Sequence, residues 1–193
     1  NRCLREAGCD LTGDIREWRA LFQDFLRGAK AVLAPSQSTA DSIRKYYPDL
    51  AVGVQEHEVG SYVYPTFAAN TLDDEFLTVA LLGAISEVKG ATIMEELVEK
   101  IRAAKLPVRI KVIGITHLHN AYYQSEDGVL EITGPYENRE VSALLAKYRV
   151  SAVLIASVCP ETYSYTTSEA IASGYPVIAF DLGAPAERIR RQD

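Results

Sequence analysis

The sequence predicts an α/β fold, a Rossmann-like parallel sheet with helices on both faces. Two observations predict it. From Phe76 onwards, short apolar runs rich in β-branched residues alternate with stretches of helical periodicity. Each helical stretch carries one apolar face, Ile93, Leu97, Val98 and Ile101 in one and Val141, Leu144, Leu145 and Tyr148 in another. A helix with a single apolar stripe must lay it against another element, and apolar strands alternating with such helices form a parallel sheet covered on both sides.

Taken in order, Ile15, Trp18, Leu21, Phe22, Phe25 and Leu26 recur at helical spacing, and the run Ala31 to Ala34 before Pro35 reads as a strand. Ser38-Thr39-Ala40-Asp41 fits a capping box for a helix carrying Ile43 and Tyr46 or Tyr47, stopped by Pro48-Asp49. Ala51 to Gln55 reads as another strand. Glu56 to Asp74 holds Gly60, Pro65 and Asn70 without a sustained period, which predicts a connection between two parts of the chain. The regular alternation then runs strand Phe76 to Leu82, helix Ala91 to Ala104, strand Val108 to Ile113, strand Val129 to Thr133, helix Arg139 to Tyr148, strand Ala152 to Ala156, helix Tyr165 to Ala172, strand Val177 to Phe180 and a last helix from Ala184.

With 193 residues, 48% of them hydrophobic, the chain suits one full domain and a piece of another. It is long enough to bury about 70% of its unfolded surface without a covalent staple. Cys3, Cys9 and Cys159 cannot all pair, which predicts a reduced, cytoplasmic protein. A formal charge of −6 and a pI near 5.2 exclude a general nucleic-acid binder, so an anionic ligand must be held by local groups. No stretch approaches the roughly 18 apolar residues of a membrane span, and Asn1-Arg2-Cys3-Leu4-Arg5 is not a secretory signal. The absence of an initial methionine predicts a piece of a longer protein.

Glu161 and Glu169 frame a segment, Pro160 to Ala170, lying between the apolar runs Ala152 to Ala156 and Pro176 to Phe180. One carboxylate falls in a loop and the other about one turn inside a helix that begins near Ser164 or Tyr165. In open α/β sheets ligands bind beyond the carboxyl ends of the strands. The free N–H groups of the helix mouth between the two acids would receive a phosphate there.

This segment resembles the Glu-x7-Glu motif of the family 4 retaining glycosyltransferases, the glycosyl transferases of group 1, which have the GT-B fold. The continuation Ala170-Ile171-Ala172-Ser173-Gly174-Tyr175-Pro176-Val177-Ile178-Ala179 and the following Asp181 to Glu187 strengthen the match. Upstream, Leu82-Gly83-Ala84 with Lys89-Gly90 resembles the family's phosphate-binding strand-loop-helix, and Ile132 to Tyr136 its strand before the base-side loop. The likeness covers roughly residues 76 to 190. It implies that residues 76–193 form the C-terminal donor nucleotide-sugar-binding domain, that 58–75 are a linker, and that 1–57 close an acceptor-side domain otherwise absent, with Ala34-Pro35-Ser36 at the exit of its last strand.

The resemblance also implies roles. Lys89 would meet the donor diphosphate at a turn where Gly90 permits close backbone approach, with Gly83 beside it, and fixed cations and dipoles there would stabilise charge on the leaving group. Glu169 would accept hydrogen bonds from the ribose diol, since one carboxylate suits two adjacent hydroxyls. Glu161 would meet hydroxyls of the transferred sugar, so Lys89 and Glu161 are the candidate catalytic residues. Tyr163, Ser164, Tyr165 and Thr166 would line sugar and phosphate, and Pro135 and Tyr136 would border the base. Ala84 departs from the pattern, because members often carry arginine there; one phosphate cation is lost or comes from elsewhere.

No cofactor and no metal is implied, since lysine and helix dipole take the metal's place. The implied partners are a nucleotide-sugar donor and a saccharide, lipid-linked or other acceptor, and without the acceptor half the chain is expected to be inactive toward acceptor. His117 and His119 lie two apart in a polar connection and read as solvent-exposed loop residues rather than metal ligands. His57 lies near the boundary and has no assigned role. No Gly-x-Ser-x-Gly elbow or Walker sequence appears. The alternatives are a sugar-nucleotide-binding module without turnover, which Ala84 keeps open, and a nucleotide-sugar epimerase of related fold.

Overall fold

The computed structural model describes residues 15–57 and 75–192. The expected linker, except Glu75, and Cys3 and Cys9 lie outside them. The chain divides into two compact units, Asn1–Glu56 and His57–Asp193.

In the first unit, helix α1 (Ile15–Arg27) precedes strand β1 (Val32–Ala34), helix α2 (Gln37–Tyr46) and strand β2 (Val52–Val54). The two strands pair in parallel, and Ala34, Ala40 and Val52 form a small core. Helix α1 buries none of its residues, so its periodicity foretold the helix but not a packed face. The expected cap is corrected. Ser36, not Ser38, starts α2: its Oγ accepts from the Thr39 N–H at 3.1 Å, and its extended backbone (φ −153°, ψ 160°) carries the chain out of the β1 direction. Ser38 is already helical, and its carbonyl accepts from Ser42 Oγ at 2.9 Å. A residue inside the helix cannot be its cap.

The second unit is the predicted α/β layer structure. Strands β3 (Leu77–Ile85), β4 (Val108–Thr116), β5 (Tyr123–Gln124), β6 (Leu130–Ile132), β7 (Ala152–Ile155) and β8 (Val177–Ala179) stand in the order β5-β6-β4-β3-β7-β8. All pairings are parallel except β5 with β6. Strand side chains alternate between faces. Leu81, Ile110, Val112 and Ile132 pack with Met94, Val98 and Ile101 of helix α3 (Ala91–Ala104) on one side. Ala80, Leu82, Ile113 and Val153 pack on the other with Val141 and Leu145 of helix α4 (Val141–Lys147) and Ala170 of helix α5 (Tyr165–Ala172). Helix α6 (Gly183–Arg190) closes the described chain.

Differences from the sequence reading are local. The helix expected from Arg139 begins as a 3-10 turn over Asn138–Glu140, and β3 and β4 each run three residues further, Gly83 and Gly114 pairing in the ladder. The hairpin partner β5 was not foreseen. Its turn is fixed by Asp127, whose Oδ1 accepts from Ser125 Oγ (2.6 Å) and Val129 N (3.1 Å) and whose Oδ2 accepts from Arg102 Nε of α3 (2.6 Å). The Arg102 bond, with help from Ser125, holds this carboxyl well below the usual range.

The strand order reverses between β3 and β7. These neighbours share only two residue pairs, Val79 with Ala152 and Ala80 with Val153, and beyond them a crevice opens at their carboxyl ends. After β3 a 3-10 turn, Glu87–Lys89, leads through Gly90 (φ +89°) into α3. A Cβ on Gly90 would overlap the Ala156 carbonyl, so the glycine serves close approach to the chain leaving β7. Gly90→Ala is expected to destabilise the fold by about 2 to 5 kcal/mol, combining a strained left-handed backbone with overpacking. Urea unfolding measures it.

Candidate functional site

The crevice between the ends of β3 and β7, of about 60 Å³, is lined by Gly83, Ala84, Lys89, Ser157, Glu161 and Thr166 among others. It occupies the topological switch point, where open α/β sheets bind ligands. Two walls meet there, the β3 exit with its 3-10 turn and the loop from β7 to α5.

Glu161 joins them. Lys89 Nζ donates to its Oε2 and Ser157 Oγ to its Oε1. The lysine side chain is 40% exposed and the glutamate 10%, so the pair stands at the rim with the acid inward. The Glu161 backbone is held as well: its carbonyl accepts from Ala184 N at 3.0 Å, and a Cβ on Gly183 (φ +65°) would come within 2.8 Å of its nitrogen. Glycine at 183 therefore lets the mouth of α6 seat against Glu161. An ammonium has three donors, and the pairing with Glu161 uses one of them.

The mouth of α5 is the second feature. Ser164 precedes the helix with φ +70° and ψ 93°, and its side chain makes no capping bond to the first turn. Its Oγ instead accepts from Thr167 Oγ1 at 2.9 Å. Thr166 faces the crevice, with its Cγ2 3.4 Å from where a Cβ on Gly83 would stand. Tyr163 is buried, and its Oη donates to the His57 carbonyl at 3.0 Å. Tyr165 is exposed and stacks on the His57 ring at 5.9 Å.

Of the residues singled out in sequence, the structure gathers Gly83, Lys89, Glu161 and Thr166 around the crevice, while Ser164, at the start of α5, is not among its lining. Tyr136 is half-buried near Gly83, whereas Pro135 is exposed past β6 and outside the lining. Gly90 packs on Ala156 rather than opening toward the crevice. His117 lies 3.6 Å from Glu95, and His119 stacks on Tyr123 at 3.9 Å. Sequence reasoning missed Ser157 and Arg188. Ser157 stands in no motif, and a basic residue in the last turn of α6 reads as an ordinary complement to the helix dipole.

Glu169 lies in α5 at 6% exposure, and its Oε2 has no hydrogen-bond partner among the described residues. Burial raises its carboxyl from the usual 4.5 to about 7. A buried acceptor without a donor is costly, and Glu169 is not among the residues that line the crevice. The raised value means that the native state binds an extra proton between the two values. The stabilisation is complete below about pH 4.5 and is lost as pH rises through about 7. Between pH 5 and pH 8 the wild type is expected to lose roughly 2 to 3 kcal/mol from this group, and Glu169→Gln to abolish that loss. Urea unfolding at the two pH values reads it directly.

Residues 76–193 match the family described as Glycosyl transferases group 1. No curated protein is matched by the sequence. Among solved structures, the chain is similar to a point mutant of S. aureus TarM in complex with fondaparinux, alpha-GlcNAc-glycerol and UDP, at 14% identity and TM-score 0.65 over 93% of this chain and 36% of that one. It is similar to Anabaena Alr3699/HepE in complex with UDP-glucose, at 17% identity and TM-score 0.59 over 84% and 48%. It is also similar to the lipopolysaccharide outer core galactosyltransferase WaaB in its apo form, at 15% identity and TM-score 0.58 over 80% and 44%. The chain thus spans less than half the length of these proteins, and at such identity the likeness shows the fold, that of the GT-B glycosyltransferases. Together with the match over residues 76–193, which takes in both walls of the crevice, it leads to one conclusion: the chain belongs to the glycosyl transferases group 1 family.

Proposed function

We propose that the second unit is the donor-binding part of a retaining GT-B glycosyltransferase of family 4, and that its donor is a uridine diphosphate sugar. The observation that carries this reading is the convergence of Lys89, Glu161 and the α5 mouth on one crevice at the switch point, with Glu169 presenting an unpartnered oxygen one turn inside the helix. Support for uridine comes from the solved structures of the same fold that hold UDP or UDP-glucose.

In this reading the bond from the anomeric carbon to the diphosphate breaks while the acceptor hydroxyl oxygen bonds to that carbon on the same face and gives its proton to the departing phosphate oxygen. Charge grows on the leaving diphosphate, where a preorganised cation and helix dipole are most effective. Lys89 turns its remaining donors to the phosphates while keeping Glu161 fixed, and Glu161 directs its carboxylate to the sugar hydroxyls. Ser157 holds Glu161 in register. Ionised Glu169 accepts from the ribose diol. Pro135 and Tyr136 border the base, and Tyr163 and Tyr165 shape the wall beside the phosphates. No divalent ion or cofactor takes part, the cation being Lys89. Residues 1–57 close an acceptor-side domain, and the whole protein works in the cytoplasm on a saccharide or lipid-linked acceptor. Ala84 favours one second reading, a module that binds sugar nucleotide without turnover.

Lys89→Ala is expected to weaken UDP by about 1.5 to 3 kcal/mol, the scale of a charge-assisted hydrogen bond, and Ala84→Arg to strengthen it. Calorimetric titration checks both, and unchanged binding by Lys89→Ala would remove this lysine from the site. The chain is also expected to hydrolyse UDP-glucose slowly but to transfer nothing to an added acceptor, because transfer requires both substrates held together. Product analysis by mass spectrometry separates the readings: released glucose points to the enzyme, and binding without release to the module.

A further inference from the structure

Among the described residues a buried cation stands behind the mouth of α5. Arg188, in α6, is 9% exposed. Its Nη1 donates to the carbonyl oxygens of Tyr163 (3.2 Å) and Ser164 (3.0 Å), its Nη2 donates to Ser168 Oγ (2.7 Å), and its Cζ lies 4.2 Å from the centre of the Tyr163 ring. No carboxylate of the described residues forms an ion pair with it. Buried charges are ordinarily paired with an opposite charge; this one is satisfied by two carbonyls, a hydroxyl and an aromatic face.

Both carbonyls belong to the corner before α5. Ser164 sits there in a left-handed conformation that a non-glycine residue holds only when its surroundings impose it. The guanidinium fork grips the carbonyl on each side of that corner and reaches Ser168 one turn on, a geometry for which a planar group with five donors is suited and an ammonium is not. The same group brings an unpaired positive charge beside the helix mouth. On the opposite wall, Ala84 contributes no charge.

We propose that Arg188 is a positioning residue for the donor diphosphate, a proposal that rests on the nucleotide reading of this crevice. It fixes the Ser164 corner so that the first N–H groups of α5 face the phosphates. Its charge, acting through the helix mouth rather than by contact, supplies the second positive charge that position 84 lacks.

The test uses Arg188→Lys, which keeps the charge without the fork, and Arg188→Met, which removes both. In the ligand-free chain, hydrogen exchange at the Ser168 amide, which donates to the Ser164 carbonyl at 3.4 Å, is expected to accelerate about tenfold in both variants, while α3 keeps its protection. Calorimetry with UDP and with uridine is expected to show UDP weakened about tenfold by Arg188→Met and less by Arg188→Lys, with uridine unchanged. Wild-type exchange at Ser168 in both variants would overturn the positioning role, and equal losses for UDP and uridine would overturn the charge. If either variant fails to fold, Ser168→Ala removes one acceptor of the fork, and its UDP affinity must fall while that for uridine holds. A wild-type chain that binds no UDP overturns the nucleotide reading and the diphosphate role together; accelerated exchange in the variants would then leave only the grip on the corner.

Discussion

The site depends on the point where β3 and β7 part. Two parallel strands that stayed paired to their ends would leave no room, but these share two residue pairs and then diverge where the strand order reverses. What fills the gap is backbone under tight constraint. Gly90 lets the turn after β3 lie against Ala156, the Val158 N–H donates to the Val88 carbonyl at 3.1 Å, and Gly183 lets α6 seat on Glu161. Three segments distant in sequence thus meet around one carboxylate. Rigid placement of this kind is what a polar site needs, since misplacement by about 1 Å can cost a hundredfold in rate.

Electrostatics distinguish the two carboxylates. At the rim, Lys89 and Glu161 neutralise each other, and Ser157 donates to the second oxygen of the acid, so both charges are held in place. One turn inside α5, Glu169 has neither a cation nor complete hydrogen bonding among the described residues, and burial raises its proton affinity. Two carboxylates eight residues apart therefore have opposite environments. Arg188 lies behind the corner between them, spending its donors on backbone rather than on an acid.

Much of this was legible in the sequence, for physical reasons that also set the limit. Helix α3 was read at its observed bounds because an apolar stripe spans it and Gly90 stands at its start, and α5 because it lies between two apolar runs with Gly174 just past its end. Strand β3 was cut short because the apolar run breaks at Gly83, although that residue still pairs with Gly114. Strand β5 escaped because two polar-tipped residues in a hairpin carry no periodicity. The start of α2 was placed two residues late because Ser36 and Ser38 are equivalent as sequence and differ only in backbone conformation. Lys89, Glu161 and Glu169 were singled out through a family resemblance, whereas Ser157 and Arg188 make contacts between separate segments, for which a single sequence holds no pattern.

The proposal that Glu169 meets the nucleoside end of a donor and Glu161 its sugar end is tested most directly by calorimetric titration of Glu161→Ala and Glu169→Ala with UDP and with UDP-glucose. The account requires Glu169→Ala to weaken both ligands and Glu161→Ala to weaken only UDP-glucose, each by about 1 to 3 kcal/mol, the range for a hydrogen-bonded charged group. Equal losses for the two ligands in Glu161→Ala, or undiminished UDP binding in Glu169→Ala, would contradict it.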